Sequence, residues 1–118
     1  MKKTLLNVVK LAAAFLALTF MLCLNVWAQD AGKQAYDEKC AACHGASGKG
    51  DGPAGAALTP PPQDFAKSLK GKTDDWIAKV TKEGGPAVGL PATMPPFSDL
   101  SDDQVKGLVA YMKQLAGK

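Results

Sequence analysis

The pattern of apolar and polar positions predicts its clearest helix at the C-terminal end of the chain. Apolar residues recur there at intervals of three and four, which places them along one face of an α-helix. They are Val105, Leu108, Val109, Met112 and Leu115. Ser101 and Gln104 precede most of this stripe in the spacing of a capping box, so the helix should begin at Ser101.

Two earlier segments are also predicted to be helical. Thr73 can cap a helix that begins with the acidic Asp74 and Asp75, bears Trp76, Ile77 and Val80 on its apolar face and ends before two glycines at 84 and 85. A first helix is predicted from an N-cap at residue 30 through the cysteine at residue 43. Residues 64–70 are compatible with a short helical turn.

Long segments rich in glycine and proline separate these helices. Residues 45–64 and 84–97 contain too many helix breakers for regular structure, and no stretch alternates long enough to form a sheet. The sequence therefore predicts a small all-α domain. Loops of this length in a compact domain normally serve a function, and we expect them to wrap around something.

The N-terminal segment has the features of an export signal. It begins with MKKTLLNVVK, has no charge from Leu11 to Trp27 and continues to Ala28. This pattern predicts a secretory signal peptide over residues 1–28, a mature domain over residues 29–118, and a periplasmic location. The alternative is an uncleaved membrane anchor, since the uncharged stretch is only slightly shorter than a spanning helix.

Removal of residues 1–28 lowers the net charge and leaves few large apolar residues to form a core. Three of the 14 basic residues are lost, which leaves 11 lysines against 11 acidic residues, so net charge gives no support to nucleic-acid binding. Only 13 of the 90 mature residues are Leu, Ile, Val or Phe. A core this thin usually needs a disulfide, a metal or a large apolar cofactor.

The segment CAACH at residues 40–44 contains the main candidates for chemistry. A thioredoxin-like redox pair would need a βαβ setting, which the chain does not predict. Zinc would need a fourth ligand beyond Cys40, Cys43 and His44. Two cysteines three positions apart, with histidine directly after the second, match the attachment of one covalent haem c, in which His44 binds the iron.

A second iron ligand is expected from a methionine. His44 is the only histidine, and the sulfur donors outside the export segment and the two attachment cysteines are Met94 and Met112. Met112 falls on the apolar stripe of the last helix, where a methionine is usually part of the core. Met94 lies in a loop stiffened by Pro91 and Pro95, which lowers the entropy cost of holding a weak thioether ligand. The sequence therefore predicts His44 and Met94 as metal ligands.

These features together resemble a class I c-type cytochrome of the small, exported, monohaem bacterial type. The matching features are Gly32, Tyr36, CAACH at 40–44, Gly52-Pro53, TMPPF at 93–97 and LVAY at 108–111. The resemblance covers nearly the whole mature chain and implies a cytochrome c fold, with long loops around one haem. It also implies that the first and last helices cross, with Gly32 and Tyr36 against Leu108 and Tyr111.

The resemblance also implies roles around the haem. It places the methionine ligand in a loop before the last helix, as at Met94, and the acceptor for the second N–H of His44 at the carbonyl of Pro53 or Gly52. Trp76 either donates to a haem propionate or is a core aromatic, and both readings remain open. The predicted pocket wall consists of Leu58, Phe65, Ile77, Val80, Leu90 and Phe97.

Iron ligated on both sides has no open position for a substrate, and no other catalytic arrangement is visible, which argues against an enzyme. The predicted function is one-electron, outer-sphere transfer between redox partner proteins. Lysines 67, 70, 72, 79 and 82 are candidates for steering such a partner, and a membrane is involved only if residues 1–28 are retained. The alternative is a haem-based sensor or peroxidase-like protein in which the methionine ligand is labile.

Overall fold

The computed structural model describes residues 1–117, including their side chains except those of residues 24–26, 28 and 29. Within this part of the chain the secondary structure is entirely helical. The α-helices are α1 (Lys2–Lys39), α2 (Ala41–His44), α3 (Phe65–Ser68), α4 (Asp74–Glu83) and α5 (Asp102–Ala116), and short 3-10 turns occur at Gly55–Ala57 and Gly85–Val88. The predicted all-α class is confirmed, as is the short turn near residue 65.

Helix α1 is much longer than the predicted first helix. It runs without interruption through Asp30, so Asp30 does not act as its N-cap, and the prediction of a helix start there is wrong. The helix-forming residues before Asp30 continue the backbone hydrogen bonds, which leaves no free amides for a cap. The C-terminal boundary also differs: α1 ends at Lys39, and Cys40 separates it from α2.

The first part of α1 extends away from the domain with its side chains exposed through Cys23. The segment Lys2–Cys23 is long and apolar enough to cross a membrane, judged by length and composition alone. A signal sequence near the N-terminus meets the same criterion. The predicted division between a signal peptide and a mature domain therefore remains a prediction.

The second half of α1 packs against α5, and this crossing is the main helix contact of the domain. The two backbones approach closely at Gly32 and Gly107. One turn later the rings of Tyr36 and Tyr111 meet edge to face, with centroids 5.3 Å apart. The predicted crossing of the first and last helices is confirmed, with Gly107 as the residue that Gly32 approaches most closely.

The caps of the two later helices form as their sequences predict. The Thr73 side chain accepts a hydrogen bond from the Trp76 amide, which fixes the start of α4. Ser101 and Gln104 form a reciprocal capping box at the start of α5. At its other end α4 stops at Gly84, whose φ of 85° suits a glycine.

The core lies between the second half of α1, α4 and α5. All five residues of the predicted α5 stripe are buried: Val105, Leu108, Val109, Met112 and Leu115. The side chains of Tyr36, Ile77 and Leu108 are at most 1% exposed. Two exposed ion pairs also join α4 to α5: Asp74 with Lys113, and Lys82 with Asp102. Leu100 of the loop after α4 also belongs to this core, and Phe97 packs against it. Other residues of the loops after α2 and α4 line a cavity beside the core.

Candidate functional site

A cavity of about 340 Å³ lies beside the core, enclosed by the two long loops. The CAACH segment forms part of its wall, since Cys40, Cys43 and His44 all line it. The first loop contributes the proline-rich residues near position 60, and the second contributes residues 90–97. The sequence thus places its three chemically active side chains on one wall of one cavity.

The wall is mainly apolar, as predicted. All six side chains expected to form it line the cavity: Leu58, Phe65, Ile77, Val80, Leu90 and Phe97. The polar side chains at the wall include Gln63, Ser68 and Thr93. A cavity with such walls suits a large apolar ligand that needs few directed hydrogen bonds.

The two thiols have different environments. Cys40 lies in the break between α1 and α2 and is only 7% exposed. This burial raises the pKa of the Cys40 thiol to about 11, because the thiolate is poorly solvated there. Cys43 lies within α2 and is half-buried. Both cysteines are free thiols, so the structure does not contain the disulfide of a redox pair.

His44 places a partly buried imidazole at the cavity. Its Nδ1 atom is buried and has no hydrogen-bond partner among the described residues. Burial lowers the pKa of His44, which favours the neutral ring needed by a metal ligand. The ring lies against that of Phe65, with centroids 4.9 Å apart. A buried imidazole with an unpartnered nitrogen is costly unless a bound group completes its surroundings.

The hydrogen bond that the resemblance implies for His44 is not formed. The carbonyl of Gly52 instead accepts bonds from the amides of Gly55 and Ala56, at 3.0 and 3.1 Å, and so closes the following 3-10 turn. Pro53 is exposed and is not part of the cavity wall. The predicted role of Pro53 toward a haem-bound His44 stays a prediction, and local backbone bonds hold the turn at 52–53.

Both methionines that follow residue 28 reach the cavity wall. Met94 is half-buried in the second loop, where its amide lies 3.3 Å from the carbonyl of Pro91 and its own carbonyl accepts from the Gly85 amide at 2.9 Å. Met112 belongs to the core, as predicted, but it also lines the cavity. Sequence periodicity places Met112 on the inner face of α5 and cannot distinguish which part of that face meets the cavity.

Trp76 occupies the edge of the cavity. Its side chain is half-buried, lines the wall and also packs against the core. Donation from Trp76 to a haem propionate stays a prediction. The ammonium of Lys72 lies 4.5 Å from the ring centroid, within the range of a cation–π contact. Sequence reasoning missed Lys72 as a partner of Trp76, because the two belong to different segments around the α4 cap.

The arrangement does not resemble a site for a bare metal ion. In residues 1–117, no group of three or more His, Cys, Asp or Glu side chains converges as the ligands of an ion would. Two thiols and one imidazole on the wall of a large apolar cavity instead fit a haem attached through thioethers. The residues present therefore fit the cofactor that the sequence implies. This fold and this site together define a c-type haem protein.

Comparison with known families agrees with the geometry. The family model described as Cytochrome c matches residues 29–116, and the chain belongs to the cytochrome c family. A cytochrome c domain implies haem c attached covalently, electron transfer and export from the cytoplasm. The prediction of a class I c-type cytochrome with its all-α fold is confirmed.

Curated relatives include subunits of respiratory oxidases. The chain is 36% identical over 105 residues to the cbb3-type cytochrome c oxidase subunit CcoP of Azospirillum sp. (strain B510). This match covers 83% of this chain and 34% of the relative. It is 38% identical over 87 residues to the subunit FixP of Rhizobium meliloti (strain 1021), which covers 73% and 27% respectively. The chain thus spans only 27–34% of the length of these curated relatives.

A solved structure shares the fold. The chain is similar to one in the Kuenenia stuttgartiensis reducing HAO-like protein complex Kustc0457/Kustc0458, with a TM-score of 0.61 and 30% sequence identity. This similarity covers 72% of this chain and 41% of the other. The same helical arrangement is therefore present in a chain of that protein complex.

Proposed function

We propose that this protein is a periplasmic electron carrier with one haem c bound through Cys40 and Cys43. The observation that supports this most directly is the cavity itself, in which both thiols and the imidazole of His44 share one apolar wall. The buried, unpartnered Nδ1 of His44 adds to the argument, because the imidazole then needs a bound group to complete its surroundings. Residues 1–28 would act as the export signal.

The ligands proposed for the iron are His44 and Met94. Met94 lies on a segment of loop at the cavity, and backbone bonds to Pro91 and Gly85 hold that segment. Met112 also reaches the wall, but it lies within α5 and is packed in the core, where its side chain fills space between neighbours. Withdrawing Met112 toward an iron would leave a gap in that core, whereas Met94 can be recruited without one.

Bound haem c supplies a one-electron couple, and the protein residues set its character. A thioether opposite an imidazole favours the ferrous form, which raises the reduction potential relative to two nitrogen ligands. With ligands on both sides, no position is left for a substrate, so the site suits transfer between proteins better than catalysis. The apolar wall excludes water, which also stabilises the less charged, reduced state.

We propose that the partners are redox proteins with an acidic surface. Lys67, Lys70 and Lys72 fall within a stretch of nine residues, 65–73, that contains no acid, and all three side chains are exposed. This stretch borders the cavity, since its residues Ser68 and Leu69 line the wall. The mature chain is close to neutral, so steering of an acidic partner would depend on where its exposed lysines lie, and these three lie beside the cavity.

The names of the relatives support a role beside other redox proteins. CcoP and FixP are named as subunits of cbb3-type cytochrome c oxidases. We propose that this chain likewise exchanges electrons with a protein partner, rather than reducing a small substrate on its own.

Visible spectroscopy of the exported, purified protein tests the proposal. We expect haem that stays attached after denaturation, a low-spin reduced spectrum and a long-wavelength ferric band that reports thioether ligation. The control is the Cys40→Ala/Cys43→Ala variant, which should retain no covalent haem. If the wild-type ferric protein were five-coordinate and bound small ligands, the carrier proposal would be wrong. The haem-based sensor or peroxidase-like alternative would then take its place.

A further inference from the structure

A buried hydrogen bond joins α1 to the residue that follows His44. Tyr36 is 0% exposed, and its hydroxyl donates to the carbonyl oxygen of Gly45 at 2.7 Å. Gly45 is buried and has a φ of 79°, a conformation that favours glycine. Its amide donates to the carbonyl of Ala41 at 2.8 Å. Gly45 is therefore held at both ends: its amide is bonded to α2, and its carbonyl is bonded to Tyr36.

The backbone on the other side of this junction is also fixed. The carbonyl of His44 accepts a hydrogen bond from the amide of Gly50 at 2.8 Å. Gly45 has no side chain of its own to pack, and a β-carbon there would overlap the side chain of Asp51. Its carbonyl is thus oriented by hydrogen bonding and accepts two bonds, from the Tyr36 hydroxyl at 2.7 Å and from the Gly48 amide at 3.1 Å. Burial raises the pKa of Tyr36, which keeps its hydroxyl protonated as a donor.

Tyr36 also reaches the imidazole through a second contact. Its ring meets the ring of Phe65 edge-on, with centroids 6.2 Å apart. The Phe65 ring in turn lies 4.9 Å from that of His44, tilted by 31°. Tyr36 is therefore connected to His44 both through the Gly45 peptide and through the Phe65 ring, although it does not itself line the cavity.

We propose that Tyr36 is a positioning residue whose hydroxyl fixes the orientation of the His44 imidazole plane. This inference rests on the proposed function, in which His44 binds the haem iron. The Gly45 carbonyl belongs to the peptide between residues 45 and 46, so the Tyr36 bond restrains the backbone one residue beyond His44 and the direction in which the chain leaves that residue. Loss of the hydroxyl leaves the Gly45 carbonyl with only the longer bond from the Gly48 amide, which loosens the backbone beside His44 and favours more than one ring orientation.

The test uses the ferric holoprotein and a signal that depends on the imidazole plane. Electron paramagnetic resonance g-values and the hyperfine-shifted proton resonances of the haem methyl groups both respond to that plane. Tyr36→Phe retains the ring and removes the hydroxyl. The matched control is Tyr111→Phe, which removes a hydroxyl from another ring in contact with that of Tyr36. We expect shifted g-values or a second low-spin species in Tyr36→Phe and wild-type signals in Tyr111→Phe.

A second substitution keeps the test decisive if Tyr36→Phe fails to mature. The chain has two tyrosines, so replacing tyrosine by 3-fluorotyrosine in the Tyr111→Phe background labels Tyr36 alone. The fluorinated phenol retains the ring and the donor but changes the donor strength, and the g-values should shift. Unchanged g-values in the variants that fold, with at most a lower unfolding midpoint, would show that the hydroxyl is only structural. Absence of a low-spin signal in wild type would instead contradict the proposed function.

Discussion

Gly32 and Gly107 lie against each other where α1 crosses α5, and a β-carbon on Gly32 would overlap the carbonyl group of Gly107. The neighbour at this point is backbone, which cannot move aside as a flexible side chain could. The close approach lets the rings of Tyr36 and Tyr111 meet one turn further along. The crossing therefore depends on the absence of a side chain at Gly32.

Enlarging Gly32 should separate the two helices. We expect Gly32→Val to lower the free energy of unfolding of the holoprotein by about 3 kcal/mol or more, at the upper end of overpacking effects because backbone is displaced. Gly117→Ala is the control, since a β-carbon there has no atom closer than 3.7 Å. Denaturant titration followed by circular dichroism measures both. Equal stability of Gly32→Val and wild type would contradict the close crossing.

The thin core predicts that haem is needed for the fold. Cys40→Ala/Cys43→Ala should reach the periplasm without covalent haem, and its apoprotein should unfold without a sharp transition, because the cavity of about 340 Å³ is left without its ligand. Thermal unfolding by circular dichroism, beside the holoprotein, provides the measurement. A cooperative apoprotein as stable as the holoprotein would show that the core is sufficient by itself.

Substitutions of the two methionines distinguish the proposed ligand from its neighbour. Met94→His should retain six-coordinate iron and lower the reduction potential, because imidazole stabilises ferric iron better than a thioether and axial ligands help set a range of about 0.8 V. Met94→Ala should open the site to small ligands. Redox titration and ligand binding to each variant are the measurements.

Met112→Leu is the matched control, because it conserves volume in the core. It should cost less than about 1.5 kcal/mol of stability and leave the potential nearly unchanged. The assignment of Met94 would be wrong if the long-wavelength ferric band persisted in Met94→Ala and disappeared in Met112→Leu.

Charge reversal on one side of the cavity should slow electron exchange with an acidic partner. We expect Lys67→Glu/Lys70→Glu to reduce the second-order rate constant at low ionic strength by ten-fold or more, within the range of about 10 to 1,000 for electrostatic steering. Lys49→Glu/Lys106→Glu changes the net charge equally at two exposed positions outside the 65–73 stretch. Stopped-flow measurements across a salt series compare the pairs. If both pairs slow the reaction equally, net charge and not the location of the lysines is responsible.

Much of the fold followed from short-range patterns. Thr73 and Ser101 satisfy amides within three residues of themselves, so the starts of α4 and α5 could be read from a few letters. The start of the first helix could not be predicted in this way. Asp30 has the chemistry of a cap, but the residues before it continue the helix, and a cap forms only where helical hydrogen bonding begins.

The sequence by itself determined the chemistry of the site, because Cys40, Cys43 and His44 lie within five consecutive residues and share one wall for that reason. Only the tertiary structure decided which distant groups surround them. Gly45 accepts from a tyrosine nine residues away, and Met112 lies both in the core and on the cavity wall. Such relations depend on how helices cross and loops close. These are sums of many weak, long-range contacts that a local periodicity does not specify.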